Sequence, residues 1–139
     1  MQPLRCGRFL ASLSIILISS SGCERHIIYC EGPYTSSPDG QCKAQLVQDV
    51  ATNSADAVVE CNDWHYPPYP DWNAVILNGP HSPMAIRWID THLLEVSVPV
   101  AADVRHYQPE IRGRSYSVQI SLRKVRAGDT APGGCGLDP

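Results

Sequence analysis

Apolar and polar residues alternate one by one along several short stretches of this chain, and that period of two constrains the fold more than any other feature. It is clearest from Met84 to Val100. There Met84, Ile86 and Trp88 alternate with Ala85 and Arg87, and Leu94, Val96 and Val98 alternate with Glu95 and Ser97. Successive side chains of an extended chain point to opposite faces, so such a stretch gathers its apolar residues on one side. With the polar Asp90-Thr91-His92 between its halves, the pattern predicts a β-hairpin. Further strands are predicted at Gln41–Val50, Asp56–Cys61 and Asn73–Asn78. A last one is predicted at Ser115–Val125, where Tyr116, Val118, Ile120 and Leu122 share a face. Residues with turn chemistry separate them: Ser37-Pro38-Asp39-Gly40, Thr52-Asn53-Ser54 and Gly79-Pro80. No window carries a 3.6-residue period, and no internal repeat is present. The expectation is an all-β domain, a small antiparallel sheet or sandwich of about five to six strands.

The opening of the chain reads differently. Arg5 and Arg8 precede an apolar run, Phe9 to Ile18, and the small residues Ser19-Ser20-Ser21-Gly22 precede Cys23. That order predicts a secretory signal peptide over residues 1–22. The run is about half of the roughly twenty apolar residues that a membrane-spanning helix needs. The chain then divides into a tether over 23–36, a β domain over 37–126 and a Gly/Pro-rich tail over 127–139. Without residues 1–22 the 139-residue chain keeps nine basic and 14 acidic side chains, a formal charge of −5. Phosphate binding wants a basic surface, so nucleic acid is not an expected partner.

Ser20-Ser21-Gly22-Cys23 resembles the lipobox of bacterial lipoproteins, departing from it at Ser20, where Leu is usual. The resemblance implies that the Cys23 thiol carries a diacylglycerol, that the chain is cut just before it, and that the new amino group is acylated. Several acyl chains on one residue give stable anchoring, where a single chain gives only marginal binding. The implied place is the bacterial cell envelope, on the outer membrane facing the periplasm rather than the inner, since Glu24 and not Asp follows the cysteine. The implied partner is the membrane, through that lipid. The alternative is an ordinary signal peptide cut nearby, which leaves a soluble periplasmic protein.

A second resemblance covers residues 37–98. Ser37-Pro38-Asp39-Gly40, a following strand, and then Trp88-Ile89-Asp90 with Leu94-Glu95-Val96 are similar to small bacterial envelope proteins with an S-P-D-G turn and a later hairpin. Similar patterns occur in single blades of propeller proteins. The resemblance implies a blade-like sheet and carries no activity.

Of six cysteines, Cys6 leaves with the signal peptide and Cys23 is assigned to lipid, so Cys30, Cys42, Cys61 and Cys135 remain. An even count in an oxidising compartment reads as two disulfides with three possible connectivities. Cys42 and Cys61 lie on the apolar registers of their predicted strands and are placed to face one another, which leaves Cys30 for Cys135. A zinc site would need close pairs such as C-x2-C. Cys61 and His65 form a close pair, but no C-x2-C or H-x3-H pair is present, so no metal and no cofactor is expected.

The segment Asp63 to Trp72 concentrates Trp64, His65, Tyr66, Tyr69 and Trp72 on a loop stiffened by Pro67, Pro68 and Pro70. Rings held on a rigid loop can stack on a sugar, a peptidoglycan fragment or a Pro-rich peptide. Equally, they can cover one open end of a small β core. His81, His92 and His106 read as surface turn residues. Bases collect towards the C-terminus as Arg105, Arg112, Arg114, Arg123, Lys124 and Arg126, placed either to touch anionic lipid headgroups or to pair with acids on neighbouring strands. Neither a G-x-S-x-G elbow nor an H-E-x-x-H motif is present, and carboxylates are dispersed, so an enzyme is not expected. The reading is a tethered binding or structural module, with the membrane as its partner and another envelope component as a candidate one. A soluble disulfide-bonded periplasmic binding or inhibitor protein is the runner-up, and a hydrolase a distant third.

Overall fold

The hairpin predicted from alternation forms as β6 (Ala85–Asp90) and β7 (Leu93–Pro99), paired antiparallel with Ile86 opposite Val96 and Trp88 opposite Leu94. The structure is a computed structural model, and it describes residues 29–65, 67, 69–126 and 129. The signal peptide, Cys23, Tyr66 and the Cys30–Cys135 pairing lie outside the described residues, as does most of the tail.

The molecule is all-β, as its patterning predicts. Upstream of the hairpin lie β1 (Tyr29–Glu31), β2 (Thr35–Ser36), β3 (Cys42–Asp49), β4 (Ser54–Cys61) and β5 (Asn73–Asn78). Downstream lie β8 (Val104–Tyr107), β9 (Glu110–Arg112) and β10 (Ser117–Val125). One sheet, sheet A, runs in the order β1-β3-β4-β5-β8, with β2 also beside β3; sheet B runs β6-β7-β10-β9. Among the described residues the count reaches ten because β1, β2, β8 and β9 are only two to four residues long, too short to show a period. Two of them, β1 and β2, fall in the stretch read as a tether. The β7–β10 pair is parallel, Leu94 beside Ile120 and Val96 beside Leu122, so sheet B is mixed.

The two sheets pack face to face over one core. Sheet A contributes small residues, Ala44, Ala57, Val59 and Val75, while sheet B contributes Leu94, Val96, Val118 and Ile120. Burying such side chains contributes about 25 cal/mol per Å² of apolar surface removed from water. The predicted face of β10 holds: Val118 and Ile120 are buried, with Tyr116 and Leu122 packed against them.

Within sheet A, β3 and β4 form a hairpin in unbroken register from Cys42–Cys61 to Asp49–Ser54. Its turn is closed by Asp49 Oδ1, which accepts the Ala51 and Thr52 N–H groups at 2.9 and 3.2 Å. Cys42 and Cys61 are register partners at the other end and are joined by a disulfide, the pairing that their apolar registers predict. Closing 19 residues of chain with a covalent bond contributes about 3 kcal/mol in the loop-entropy account.

Besides the Tyr107 hydroxyl, which donates to the Ile120 carbonyl oxygen at 2.7 Å, three contacts lock the sheets together. Trp88 Nε1 donates to the Thr35 carbonyl oxygen at 3.0 Å. Trp64 is 0% exposed, and its Nε1 donates to the Tyr116 carbonyl oxygen at 3.1 Å. The third starts at the Ser-Pro-Asp-Gly turn, where Gly40 takes a φ of 71° and Gly40 N–H donates to the Ser37 carbonyl oxygen. Asp39 Oδ1 accepts the Ser37 hydroxyl at 2.7 Å, and Asp39 Oδ2 accepts the Tyr116 hydroxyl at 2.8 Å. The Ser37 bond first, then that of Tyr116, holds the Asp39 carboxyl below its usual pKa range. Burial, reinforced by Asp39, pushes the Tyr116 phenol up to about 12.

Candidate functional site

The aromatic loop does not present its rings together. After β4, a single 3₁₀ turn over Asn62–His65 points Trp64 inward. There the indole fills the space beside Gly113, where an added Cβ would collide with its Cδ1 and Nε1. Trp64 is therefore a core residue, the alternative in which the loop closes the β core. Tyr69 is 68% exposed, and His65 is exposed too. Among the described residues of the five predicted for binding, Trp72 and His65 are brought together, edge to face with ring centroids 5.7 Å apart.

Both stand at a groove on the outer face of sheet A. Its floor comes from the outward registers of the central strands. Gln45 and Val47 of β3 lie there with Val58 of β4, Gln45 being the register partner of Val58. Trp72 stands on the far side of Val58, its carbonyl oxygen accepting the Val59 N–H at 2.9 Å. Tyr34, Lys43, Glu60 and Glu31 complete the walls around a volume of about 200 Å³.

The rim is a chain of contacts running from one aromatic wall to the other. Lys43 Nζ sits 4.4 Å from the centre of the Tyr34 ring. The same ammonium lies 3.5 Å from Glu60 Oε2, while His65 Nε2 lies 2.8 Å from Glu60 Oε1. His65 then meets Trp72. Pairs this exposed contribute at most about 1 kcal/mol each, so their effect is to hold side chains in place rather than to stabilise the fold. The backbone around Trp72 is fixed as well. Gln108 Nε2 donates to the Asn73 carbonyl oxygen at 2.9 Å, and Asp71 Oδ1 accepts the Asn73 N–H at 3.0 Å.

Within this fixed frame two polar atoms have no partner among the described residues. Gln45 is only 6% exposed, yet its Oε1 is buried without a hydrogen bond; so is Trp72 Nε1. Leaving a buried polar group unsatisfied costs about 1–3 kcal/mol. In native proteins most such groups are paired, so two in one groove call for an explanation. Asp56, further along the same face, also has an unpartnered buried Oδ1, and burial raises its carboxyl above the usual range.

The other predicted features are placed as follows. Among the C-terminal bases, Arg112 pairs with Glu110 at 2.7 Å, Arg123 approaches Glu95 at 3.6 Å, and Arg105 donates to the Thr52 carbonyl oxygen. Of these, Arg123 meets an acid on a neighbouring strand, Arg112 one on its own strand, and Arg105 a backbone carbonyl. Among the described residues, Arg114, Lys124 and Arg126 make no ion pair. His92 sits in the β6–β7 turn, stacked on Tyr116, whereas His106 lies within β8. Gln45, Val58, Lys43, Glu60 and Tyr34 were not singled out by the sequence. A lone glutamine on a strand's polar register gives no sign that it will be buried. Comparison with known protein families, with curated proteins and with solved structures finds no match to this chain.

Proposed function

We propose that this chain is a binding module of the bacterial envelope, tethered to the membrane through lipid on Cys23, and that it engages its ligand at the outer-face groove of sheet A. One observation carries the groove: Gln45 Oε1 and Trp72 Nε1 are buried and unpartnered in a frame fixed around them. A ligand that displaced the side chains covering these atoms and brought the missing donor and acceptor would gain two hydrogen bonds against the cost of that displacement. The anchor rests on the order of basic, apolar and small residues before Cys23. The Cys42–Cys61 disulfide agrees with an oxidising compartment, which serves a soluble periplasmic form equally well.

Two measurements test this reading. Intact mass of the protein recovered from membranes should begin at Cys23 and include lipid; an unlipidated mass from the soluble fraction would sink the anchor and leave the groove standing. For the groove, the folded domain is titrated with a soluble digest of peptidoglycan, which offers both sugar and peptide chemistry. The NMR signal of the Trp72 indole N–H should move, while those of Trp64 and Trp88, already bonded inside the protein, stay in place. Equal movement of all three, or none, would count against the groove.

A further inference from the structure

The two ends of the sandwich carry different turns. Where β3 begins, the turns are polar and bonded among themselves. Asp39 holds the Ser37 hydroxyl, the Tyr116 phenol lies within reach of both Asp39 and the Thr91 carbonyl oxygen, and Asp90 accepts the His92 N–H. At the other end, the β3–β4 turn and the connection from β7 to β8 each carry a valine and an alanine, Val50-Ala51 and Val100-Ala101. Hydrogen bonds through the end of β5 bring the two together: Gly79 N–H donates to the Asn53 carbonyl oxygen at 2.7 Å, and Asn78 N–H to that of Asp103 at 3.0 Å. Val100 is 66% exposed and Val50 46%, with both alanines exposed beside them. The turns do not ask for valine. Val50 contributes its carbonyl oxygen, which accepts the Asn53 N–H, and Val100 its N–H, which donates to the Val125 carbonyl oxygen. Such positions usually go to Gly, Pro, Asn, Asp or Ser.

The chain enters at this same end. Tyr29 pairs with Asp49, the residue before Val50, and only Glu24 to Ile28 separate it from Cys23. Six residue steps reach at most about 22 Å. That is less than the roughly 26 Å length of an eight-residue strand such as β3. We propose that the Val50 and Val100 tips seat in the headgroup boundary of the bilayer, a second and apolar contact beside the lipid on Cys23. The proposal rests on that lipid anchor. A lipidated residue fixes where the chain is held but not how the domain stands. Two apolar tips at the entry end set it upright, so that the strands of sheet A run away from the surface. Lipid charge is not called for. Around these tips Asp49, Asp103 and Asp129 are matched in number by Arg105, Lys124 and Arg126, with His81 in the turn after β5 and Arg123, further in, against Glu95.

The test uses the full lipidated chain in nanodiscs of phosphatidylcholine that carry a nitroxide at the headgroup boundary. Paramagnetic broadening of its NMR signals is followed, with the ring of Tyr69, exposed beyond the opposite end of β4, as the reference. The methyl signals of Val50, Ala51, Val100 and Ala101 should lose most of their intensity, since apolar side chains at an interface sit about 5–10 Å into it. Tyr69 should keep its signal, and adding phosphatidylglycerol should change nothing. Val50→Ser combined with Val100→Ser is checked for folding by an unchanged Trp64 indole signal. In that variant the broadening of the two alanine methyls should fall to the level of Tyr69. Equal broadening at both ends, or alanine methyls still broadened in the double variant, would overturn the seating and leave the anchor standing. Broadening that needs phosphatidylglycerol would overturn it in favour of a charge contact. Signals that move only when each disc holds several copies would assign the tips to a second copy of this chain and overturn the lipid contact. An intact mass without lipid would overturn the anchor and the seating together.

Discussion

The seam between the sheets and the groove on sheet A are supplied by the same loop, and they treat its two tryptophans in opposite ways. At the seam the Trp64 indole N–H is bonded to Tyr116, and the neighbouring Asp63 Oδ2 accepts both the N–H and the hydroxyl of Ser115 at 2.9 and 3.0 Å. At the groove the Trp72 indole N–H is buried and has no partner among the described residues. Packing at the seam is tight enough to require a glycine at 113; the groove has open volume. Residues that complete themselves stabilise a fold, and residues held rigid but incomplete are what a ligand can complete.

The contrast is most easily broken by the two tryptophans themselves. Trp64→Ala should cost about 3–5 kcal/mol, as expected for a fully buried aromatic, whereas Trp72→Ala should cost far less. Urea denaturation of both variants measures the gap, and equal losses would mean that the groove wall is also core. Next in size is Gly113→Ala, expected to cost about 1–3 kcal/mol by overpacking the indole. A melting curve unchanged by that substitution would mean the seam has room to yield.

Tyr116→Phe sharpens the comparison at the other side of the seam. The phenol lies within hydrogen-bonding distance of both Asp39 Oδ2 and the Thr91 carbonyl oxygen, at 2.8 and 2.9 Å. Removing it should cost about 1 kcal/mol. Because the folded-state pKa of Asp39 is depressed, its contribution to stability is present above the ordinary value of 3.8 and is lost as pH falls through the lower folded value. In Tyr116→Phe the Asp39 titration, followed by NMR, should move up towards 3.8. An unmoved midpoint would assign the whole effect to Ser37.

Asp56 carries the opposite sign and the smallest effect. Burial raises its folded pKa, so protonation favours the folded state, and the group costs stability at pH values above its raised value. That cost is relieved as pH falls through the raised value towards 3.8. Asp56→Asn should therefore stabilise the protein at neutral pH, within about 0.5 kcal/mol, and flatten the acid side of the stability profile. A loss of stability at neutral pH would mean that the attraction of Arg105 outweighs burial.

Much of this was legible in the residues. Alternation around Met84–Val100 defined a hairpin, and the registers of Cys42 and Cys61 placed them opposite one another. Alternation reports which face a residue takes, not which strand lies beside it or in which direction. The parallel approach of β7 and β10 was therefore invisible, as were β8 and β9 at four and three residues. The aromatic loop stood out by composition, but composition cannot say which ring turns inward. That depends on Gly113, 49 positions beyond Trp64. The groove was hidden for a similar reason, since it depends on Gln45 falling opposite Val58 and on Trp72 arriving across the strand between.

The parallel pairing of β7 with β10 also bears on the order in which the molecule assembles. The β3–β4 hairpin needs only a short turn, and its ends can then be sealed by the disulfide. Leu93, by contrast, has to find Gln119, and the chain between them first supplies β8 to the opposite sheet before returning as β9. Closing a longer loop costs more entropy before any contact offsets it, which slows folds rich in distant pairings. Sheet B is thus the late half of the fold, and until β10 docks the apolar edge of β7 stands open. That interval is when unwanted strand pairing with other chains is most easily made.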